Sequence, residues 1–185
     1  MIDLRGRKVT YYGYTGLIDS NGVTRLCQAL NMAVNNQADV IYLCFSSPGG
    51  LVGDGIYLYN YIRALPVEMI IHAIGTVASI ATTVFVAAQN RYCSANAMFM
   101  MHPTTVGPFA VGVAASHLQS ALDSVVADDQ RTERILRERT GLSDEILLAK
   151  RSRDVHLSPQ EALKFGLVHE VAEFTVTPGN QLIQI

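Results

Sequence analysis

The chain has 185 residues, of which 49% are hydrophobic and 16% are charged. This length predicts one domain spanning residues 1–185, and the low charged fraction favours an oligomer, because a monomer would expose much apolar surface. A formal net charge of -2 with no run of lysine or arginine argues against partners that need a basic surface, such as nucleic acid or an anionic membrane.

The cysteines, the N-terminus and the apolar run 69–90 indicate a cytoplasmic protein. Cys27, Cys44 and Cys93 lack metal or redox spacing, which predicts reduced thiols. The charged N-terminus lacks the apolar core of a signal peptide. The uncharged run 69–90 is long enough to cross a bilayer but contains His72 and several other polar residues, so we expect a buried strand, turn and helix there. No cofactor or metal site is expected.

Strands and helices alternate along the first half of the sequence. Apolar or β-branched runs predict strands at 9–14, 40–45 and 69–74. Helical spacing of apolar residues predicts helices at 20–35, 53–64 and 78–88. This alternation argues for a parallel α/β sheet with helices on its faces.

The second half is dominated by one long charged helix. Short strands are predicted at 91–94, 98–101 and 167–171, and helices at 113–139, 143–150 and 158–166. Ser158, Pro159 and Glu161 supply an N-cap, a first-turn proline and a capping-box carboxylate. The charged second half of the helix at 113–139 predicts that it projects from the domain or docks on a neighbour.

Ser79 follows an apolar run and stands where a helix is predicted to begin. Unpaired backbone N–H groups and the positive end of the helix dipole collect at such a position and would stabilise an oxyanion. A serine here can be a nucleophile, an N-cap or a small residue in a tight helix–strand contact. The segment alone leaves these three interpretations open.

Candidate partners for a serine nucleophile lie elsewhere in the chain. Gly49 and Gly50 follow a predicted strand at the sheet edge where ligands bind, and can point N–H groups into a cleft. His102 ends a predicted strand and is the best-placed base among the five histidines. Asp154 lies in a predicted loop, and its importance depends on whether it can orient His102.

Four motifs in this order carry a family resemblance: Ser-Ser-Pro-Gly-Gly at 46–50, Gly-Thr-Val-Ala-Ser-Ile at 75–80, Met-Met-His-Pro at 100–103 and Arg-Asp-Val-His-Leu-Ser-Pro-Gln-Glu-Ala at 153–162. With them, the chain from about Val9 to Ala172 resembles the Clp protease proteolytic subunit. The resemblance implies an α/β fold of the ClpP and crotonase-like type, a spiral of β-β-α units with a projecting handle helix. The handle segment would be about 104–139.

The resemblance implies a serine endopeptidase that hydrolyses peptide bonds in short or unfolded polypeptides inside the chamber of an oligomeric ring. Ser79 would be the nucleophile, His102 the general base and acid, and Asp154 the carboxylate that holds the imidazole. The backbone N–H groups of Gly50 and Ile80 would form the oxyanion hole. These roles agree with the chemistry read from the residues themselves.

The resemblance also implies partners. Substrate peptide would lie extended beside Leu51 and Val52 on one side and the segment 104–112 on the other, as in strand addition. Other copies of the chain would form heptameric rings that stack. A Clp-type ATPase would supply unfolding, because the chain has no P-loop of its own.

The sequence departs from the family pattern at several positions. Pro103 follows His102 directly, where the family usually has an intervening glutamine, and Pro108 removes an N–H group from the handle strand. Ile80 replaces a typical methionine, which leaves the backbone donor intact. Few residues precede Val9, where the family forms loops that meet the ATPase, and Cys44 stands where it often has a docking tyrosine.

Three other functions fit parts of the pattern. One is a catalytically silent subunit of a mixed ring, since a small misalignment of the triad would cost most of its rate. The second is a crotonase-type acyl-CoA enzyme, which shares the Gly-Gly oxyanion loop without a Ser-His-Asp set. The third keeps Ser79 but uses a lysine base, for which Lys8, Lys150 and Lys164 are available.

Overall fold

The structure is a computed structural model that describes residues 3–107 and 112–185. These residues form eight strands: β1 Val9–Thr15, β2 Val40–Ser47, β3 Glu68–Ala78, β4 Asn90–Cys93, β5 Met98–Met101, β6 Val155–Leu157, β7 Glu170–Val171 and β8 Leu182–Gln184. They also form six helices: α1 Ser20–Asn35, α2 Val52–Ala64, α3 Ile80–Phe85, α4 Ala115–Arg139, α5 Asp144–Ala149 and α6 Pro159–Lys164.

One mixed sheet organises the fold. Its order is β6-β5-β3-β2-β1-β8, with β4 beside β3 and β7 beside β4. Every pairing is parallel except that of β5 with β6. Since parallel strands end at the same edge, the turns that follow β2, β3 and β5 come together there. The predicted α/β class with a parallel sheet is confirmed.

β3 is longer and α3 shorter than the sequence predicts. The first half of β3 pairs with β4 at Ile70–Ala73, and the second half pairs with β5 at Thr76–Ala78. This second pairing draws small residues with weak strand preference into the sheet, because cross-strand contacts outweigh local propensity. The strand therefore runs to the residue immediately before Ser79.

The sequence pattern predicts neither β6 nor β8. Each has three residues, and each exists through pairing with a distant strand, β6 with β5 and β8 with β1. The apolar run 69–90 is divided between β3, α3 and the start of β4. Across residues 3–107 and 112–185, no helix combines the length and apolar character needed to cross a bilayer.

A buried arginine ties together the ends of three helices. The Arg91 guanidinium donates hydrogen bonds to the carbonyl oxygens of Ala88, Arg139, Gly166 and Leu167 at 2.8–3.1 Å, which lie at or after the ends of α3, α4 and α6. Burial lowers the pKa of Arg91 to about 10, so the guanidinium remains charged at neutral pH. Carbonyls left unpaired at helix ends are thereby satisfied by one cation.

The face of the sheet opposite the main core carries an aromatic cluster. The C-terminal segment after β7 closes it, because Phe174 packs on the rings of Tyr11 and Tyr42 and the Thr177 hydroxyl contacts the Tyr11 hydroxyl at 2.7 Å. His72 lies fully buried within this cluster. The Tyr42 hydroxyl is hydrogen-bonded to His72 Nδ1 at 2.7 Å. His72 is therefore a structural residue of the sheet.

Stability should depend on pH through His72. Burial lowers the pKa of His72 from 6.5 to about 4. As the pH falls below 6.5, the unfolded chain takes up a proton that the folded chain resists, so stability decreases through the window from 6.5 to 4. We expect a loss of about 3 kcal/mol across it. Melting curves by circular dichroism should show a shallower pH dependence for His72→Gln, and an equally steep one would contradict this assignment.

Candidate active site

Ser79 occupies a strained turn between β3 and α3. Its backbone has φ 57° and ψ -132°, in the left-handed region that residues other than glycine rarely adopt. Its amide donates to the Met100 carbonyl oxygen at 2.8 Å, and its carbonyl oxygen accepts from the Thr82 amide and hydroxyl at 3.0 and 2.7 Å. Strained strand-to-helix turns of this kind expose the nucleophilic serine in α/β-hydrolases.

The contacts of Ser79 distinguish between its three interpretations. The side chain makes no capping hydrogen bond to α3, which argues against the N-cap interpretation. It does form a tight contact: a Cβ atom built on Gly49 would lie 2.5 Å from the Ser79 Cβ and 2.8 Å from the Ala78 carbonyl oxygen. Gly49, at φ 99°, is therefore required both for its own backbone conformation and for the space that Ser79 occupies.

Two backbone amides remain available beside Ser79. Ile80 is the first residue of α3, so its N–H has no partner within the helix. The neighbours of Gly50 pair with Ile18. The Ile18 amide donates to the Gly49 carbonyl oxygen, and the Leu51 amide donates to the Ile18 carbonyl oxygen. Among the described residues, neither the Gly50 nor the Ile80 amide donates to a protein acceptor. Two unused N–H groups at one cavity are what an oxyanion hole requires.

His102 follows β5 directly and is half-buried. Its Nδ1 lies 2.7 Å from the Pro103 carbonyl oxygen. Because a carbonyl oxygen can only accept, Nδ1 carries the proton, and Nε2 is the nitrogen with a free lone pair in the neutral ring. That tautomer is the one a general base needs in order to take a proton from serine.

Ser79 and His102 line a common cavity of about 80 Å³. Gly50, Ile80 and Val52 also line it. Leu51 does not line it, and this residue is 61% exposed. The structure thus brings four of the five predicted catalytic and oxyanion-hole residues to one place. In the part of the chain that the structure describes, no group of histidine, cysteine and acidic side chains could hold a metal ion.

Asp154 is not among the residues that line this cavity. It precedes β6, and the antiparallel register that pairs Met101 with Val155 places Asp154 opposite His102 when extended by one residue. Its side chain is exposed, and no hydrogen bond joins it to the imidazole, whose Nδ1 is bonded to Pro103. The register therefore brings Asp154 opposite His102, but no hydrogen bond joins the two side chains.

Lys150 lines the cavity together with Ser79, whereas the other two lysines lie elsewhere. Its Nζ is 3.0 Å from Asp129 Oδ1 and 3.7 Å from Glu133 Oε1. These contacts fit an ammonium group, which has no lone pair with which to accept the serine proton. Lys8 is bonded to the Asn36 carbonyl oxygen, and Lys164 lies beside its neighbouring phenylalanine ring. The geometry does not support a lysine base.

Sequence reasoning missed three residues that support the site. The sequence predicts Gly49 as a turn residue whose N–H group can face a cleft, not as a contact of Ser79, and it gives no signal for Thr82. Asp129 was one of many charges on the helix predicted at 113–139. The segment 104–112, predicted to lie along the second side of the substrate peptide, is described only at residues 104–107 and 112. Pro108 lies outside the described residues.

The contact between Gly49 and Ser79 predicts a large effect of one methyl group. Gly49→Ala should lower stability by about 2 kcal/mol or more, since the new Cβ overlaps Ser79 at a backbone angle that alanine disfavours. Gly53→Ala is the matched control, because a Cβ there meets nothing within 4 Å. Equal melting temperatures for the two variants would contradict this prediction, because they would show that the turn accommodates the added methyl group.

Comparisons with known proteins place this chain in a family. The Clp protease family model matches residues 5–175. ATP-dependent Clp protease proteolytic subunit 2 of Pseudomonas aeruginosa is 31% identical over 166 residues, which are 89% of this chain and 81% of that protein. ATP-dependent Clp protease proteolytic subunit 1 of Streptomyces avermitilis is 28% identical over 159 residues, which are 84% of this chain and 72% of that protein.

A solved structure confirms the fold. A mutant of ClpP1 from Listeria monocytogenes superposes with a TM-score of 0.78 over 90% of this chain and 92% of that one, at 24% identity. This likeness confirms the predicted ClpP-type α/β architecture and concerns the fold alone. Since the Clp protease model matches most of the chain, and the Pseudomonas relative exceeds 30% identity over most of both proteins, the chain belongs to the Clp protease family.

Proposed function

We propose that this chain is a serine endopeptidase that cleaves short or unfolded polypeptides with Ser79 as its nucleophile. Family membership supports the reaction class, and the relatives are named as proteolytic subunits. One observation carries the proposal for this chain: Ser79, on a left-handed turn, shares one cavity with His102 and with the unused amides of Gly50 and Ile80.

The proposed acylation step uses these groups as follows. His102 Nε2 takes the Ser79 hydroxyl proton while Oγ attacks the carbonyl carbon of the scissile peptide bond. The negative charge that develops on the carbonyl oxygen is stabilised by the Gly50 and Ile80 N–H groups. The imidazolium then protonates the leaving amine. Water attacks the resulting ester with His102 again as base, which releases the peptide acid and restores the serine.

Asp154 is proposed as the group that orients His102 during the reaction. In the present geometry the Pro103 carbonyl oxygen holds the required tautomer. A neutral carbonyl stabilises the imidazolium less than a carboxylate does. We therefore propose that His102 Nδ1 exchanges the Pro103 carbonyl oxygen for the Asp154 carboxylate. The β5–β6 register, extended by one residue, supports this proposal.

Beside the Gly49-Gly50 turn, we propose that substrate contacts the side chain of Leu51 more than its backbone. The Leu51 amide donates to the Ile18 carbonyl oxygen, and the Leu51 carbonyl oxygen accepts from the Gly55 amide. Both main-chain groups are thus committed within the chain. The exposed Leu51 side chain and the adjacent Val52 remain as apolar contacts for an extended peptide.

A catalytically silent ring subunit is the second candidate. The contact of His102 with Pro103 and the exposure of Asp154 favour it, because a triad that never closes gives little catalysis. A crotonase-type acyl-CoA activity has no comparable support, since the family model that matches is that of the Clp proteases.

Ring assembly is proposed to use α4 as the handle. Leu118, Leu122 and Val126 are 45–56% exposed and lie four residues apart, so they share one face of the helix. An apolar stripe of this kind on a projecting helix favours burial against another copy. A stacked pair of heptameric rings is the arrangement that we propose by analogy with the family.

A Clp-type ATPase partner and a cytoplasmic location are parts of the same proposal. Free Cys27, Cys44 and Cys93 support a reducing compartment. The docking of an ATPase has weaker support, because Tyr42 and Cys44 are buried in the aromatic cluster beneath the C-terminal segment. We therefore propose activity on peptide substrates that need no unfolding.

Labelling with a fluorophosphonate probe tests the nucleophile. Wild-type protein should carry the label on Ser79, identified by peptide mass spectrometry, and Ser79→Ala should carry none. His102→Ala should lose nearly all labelling, because the hydroxyl loses its base. An unlabelled, folded and assembled wild type would favour the silent subunit instead.

Asp154→Asn tests the exchange at His102. If the carboxylate stabilises the imidazolium, turnover of a fluorogenic peptide should fall by roughly 1,000-fold or more. His156→Asn, an exposed substitution on the adjacent strand, serves as the control. Wild-type turnover by Asp154→Asn would show that the Pro103 carbonyl oxygen is the lasting partner of His102.

Sedimentation velocity tests the handle. The wild type should sediment as a multiple of the monomer at micromolar concentration, and Leu122→Asp should sediment as a smaller species, because it places a charge in the apolar stripe. Ser124→Asp, exposed on the other side of α4, adds the same charge and should leave the mass unchanged. A monomeric wild type would overturn the assembly proposal.

A further inference from the structure

A partly buried charged cluster adjoins the cavity that holds Ser79. Lys150 Nζ contacts Asp129 Oδ1 at 3.0 Å and Glu133 Oε1 at 3.7 Å, and Arg151 forms two hydrogen bonds with Glu133 at 2.6 and 2.7 Å. The Thr104 hydroxyl donates to the same Asp129 oxygen at 2.8 Å. We call these five residues the Lys150 cluster.

The cluster is balanced in charge and tightly constrained. Asp129 and Glu133 lie four residues apart on α4, so two carboxylates share one face and would repel each other. Lys150 bridges them, and the side chains of Lys150 and Glu133 are each only 5% exposed. Buried charges of this kind are tolerated only when each has its partner, so the geometry allows little rearrangement.

The cluster connects three parts of the chain that meet at the cavity. Thr104 is two residues beyond His102, in the segment that follows β5. Asp129 belongs to α4, and Lys150 ends α5, four residues before Asp154. The hydrogen bond from Thr104 to Asp129 therefore ties the His102 segment to a helix whose own position is fixed by Lys150.

We propose that Asp129 and Lys150 act through Thr104 as positioning residues that fix where the His102 ring lies relative to Ser79. This inference rests on the proposed peptidase function, in which the Ser79–His102 geometry determines the rate. Misplacement of a catalytic group by about 1 Å can cost a hundredfold in rate. Lys150 thus contributes its charge and its contacts, and His102 is the base.

The sharpest test removes one hydroxyl. Thr104→Val is nearly isosteric and leaves every charge in the cluster paired, whereas Thr104→Ser keeps the donor. We expect fluorophosphonate labelling of Ser79 to slow by about tenfold or more in Thr104→Val and to stay within about twofold of wild type in Thr104→Ser. Melting temperatures of the two variants should agree closely. Equal labelling rates would overturn the proposal.

A second experiment tests whether Lys150 acts as a positioning cation or as a base. Lys150→Arg keeps a charge that cannot be removed at working pH, so a lysine base would be abolished while a positioning cation would be largely retained. Lys150→Met should slow labelling, and Lys164→Met, an exposed lysine on α6, should not. Loss of labelling in Lys150→Arg, with an unchanged melting temperature, would contradict the assigned role.

The position of His102 can also be read without any reaction. The ¹³Cε1–H signal of His102, assigned by its absence in His102→Gln, should shift in Thr104→Val and return in Thr104→Ser. An unchanged signal in Thr104→Val overturns the positioning role even if Ser79 proves unreactive. A wild type whose Ser79 takes no label, but whose His102 signal responds as described, would refute the peptidase function and leave the positioning role standing.

Discussion

The left-handed turn at Ser79 is the constraint on which the rest of the site depends. A non-glycine residue in this region costs about 1–3 kcal/mol, and the surrounding structure must hold it there. Met100 on β5, Thr82 on α3 and the glycine at position 49 together provide that support. Ser79 and Ile80, which this turn joins, both line one cavity, so the strained turn and the candidate site coincide.

The histidine side of the site is arranged differently. Nothing strained holds His102; its tautomer is set by a carbonyl oxygen of the next residue, and its segment is tied to α4 through Thr104. Asp154 is aligned by strand register alone. The serine side is therefore built into the core, whereas the histidine side is held by polar contacts. The Thr104–Asp129 hydrogen bond anchors the segment, and the His102–Pro103 hydrogen bond is the contact proposed to exchange its partner.

Buried polar groups at three places make this arrangement specific. Arg91 satisfies carbonyl oxygens at the ends of three helices, His72 is bonded to Tyr42 on the other face of the sheet, and Lys150 bridges two carboxylates of α4. Each group is costly to bury unless its partners are in place. They therefore favour one packing of helices against the sheet over others that would bury a similar apolar area.

The sequence by itself determined the parallel α/β class and most of the helices, because apolar periodicity and capping residues are local properties. Its motifs also identified Ser79, His102, Gly50 and Ile80, which the fold brings to one cavity. Only the tertiary structure decided the extension of β3, the short strands β6 and β8, the contact of Gly49 with Ser79 and the burial of Lys150 beside the cavity. Each of these depends on contacts between residues far apart in the chain, which no local pattern encodes.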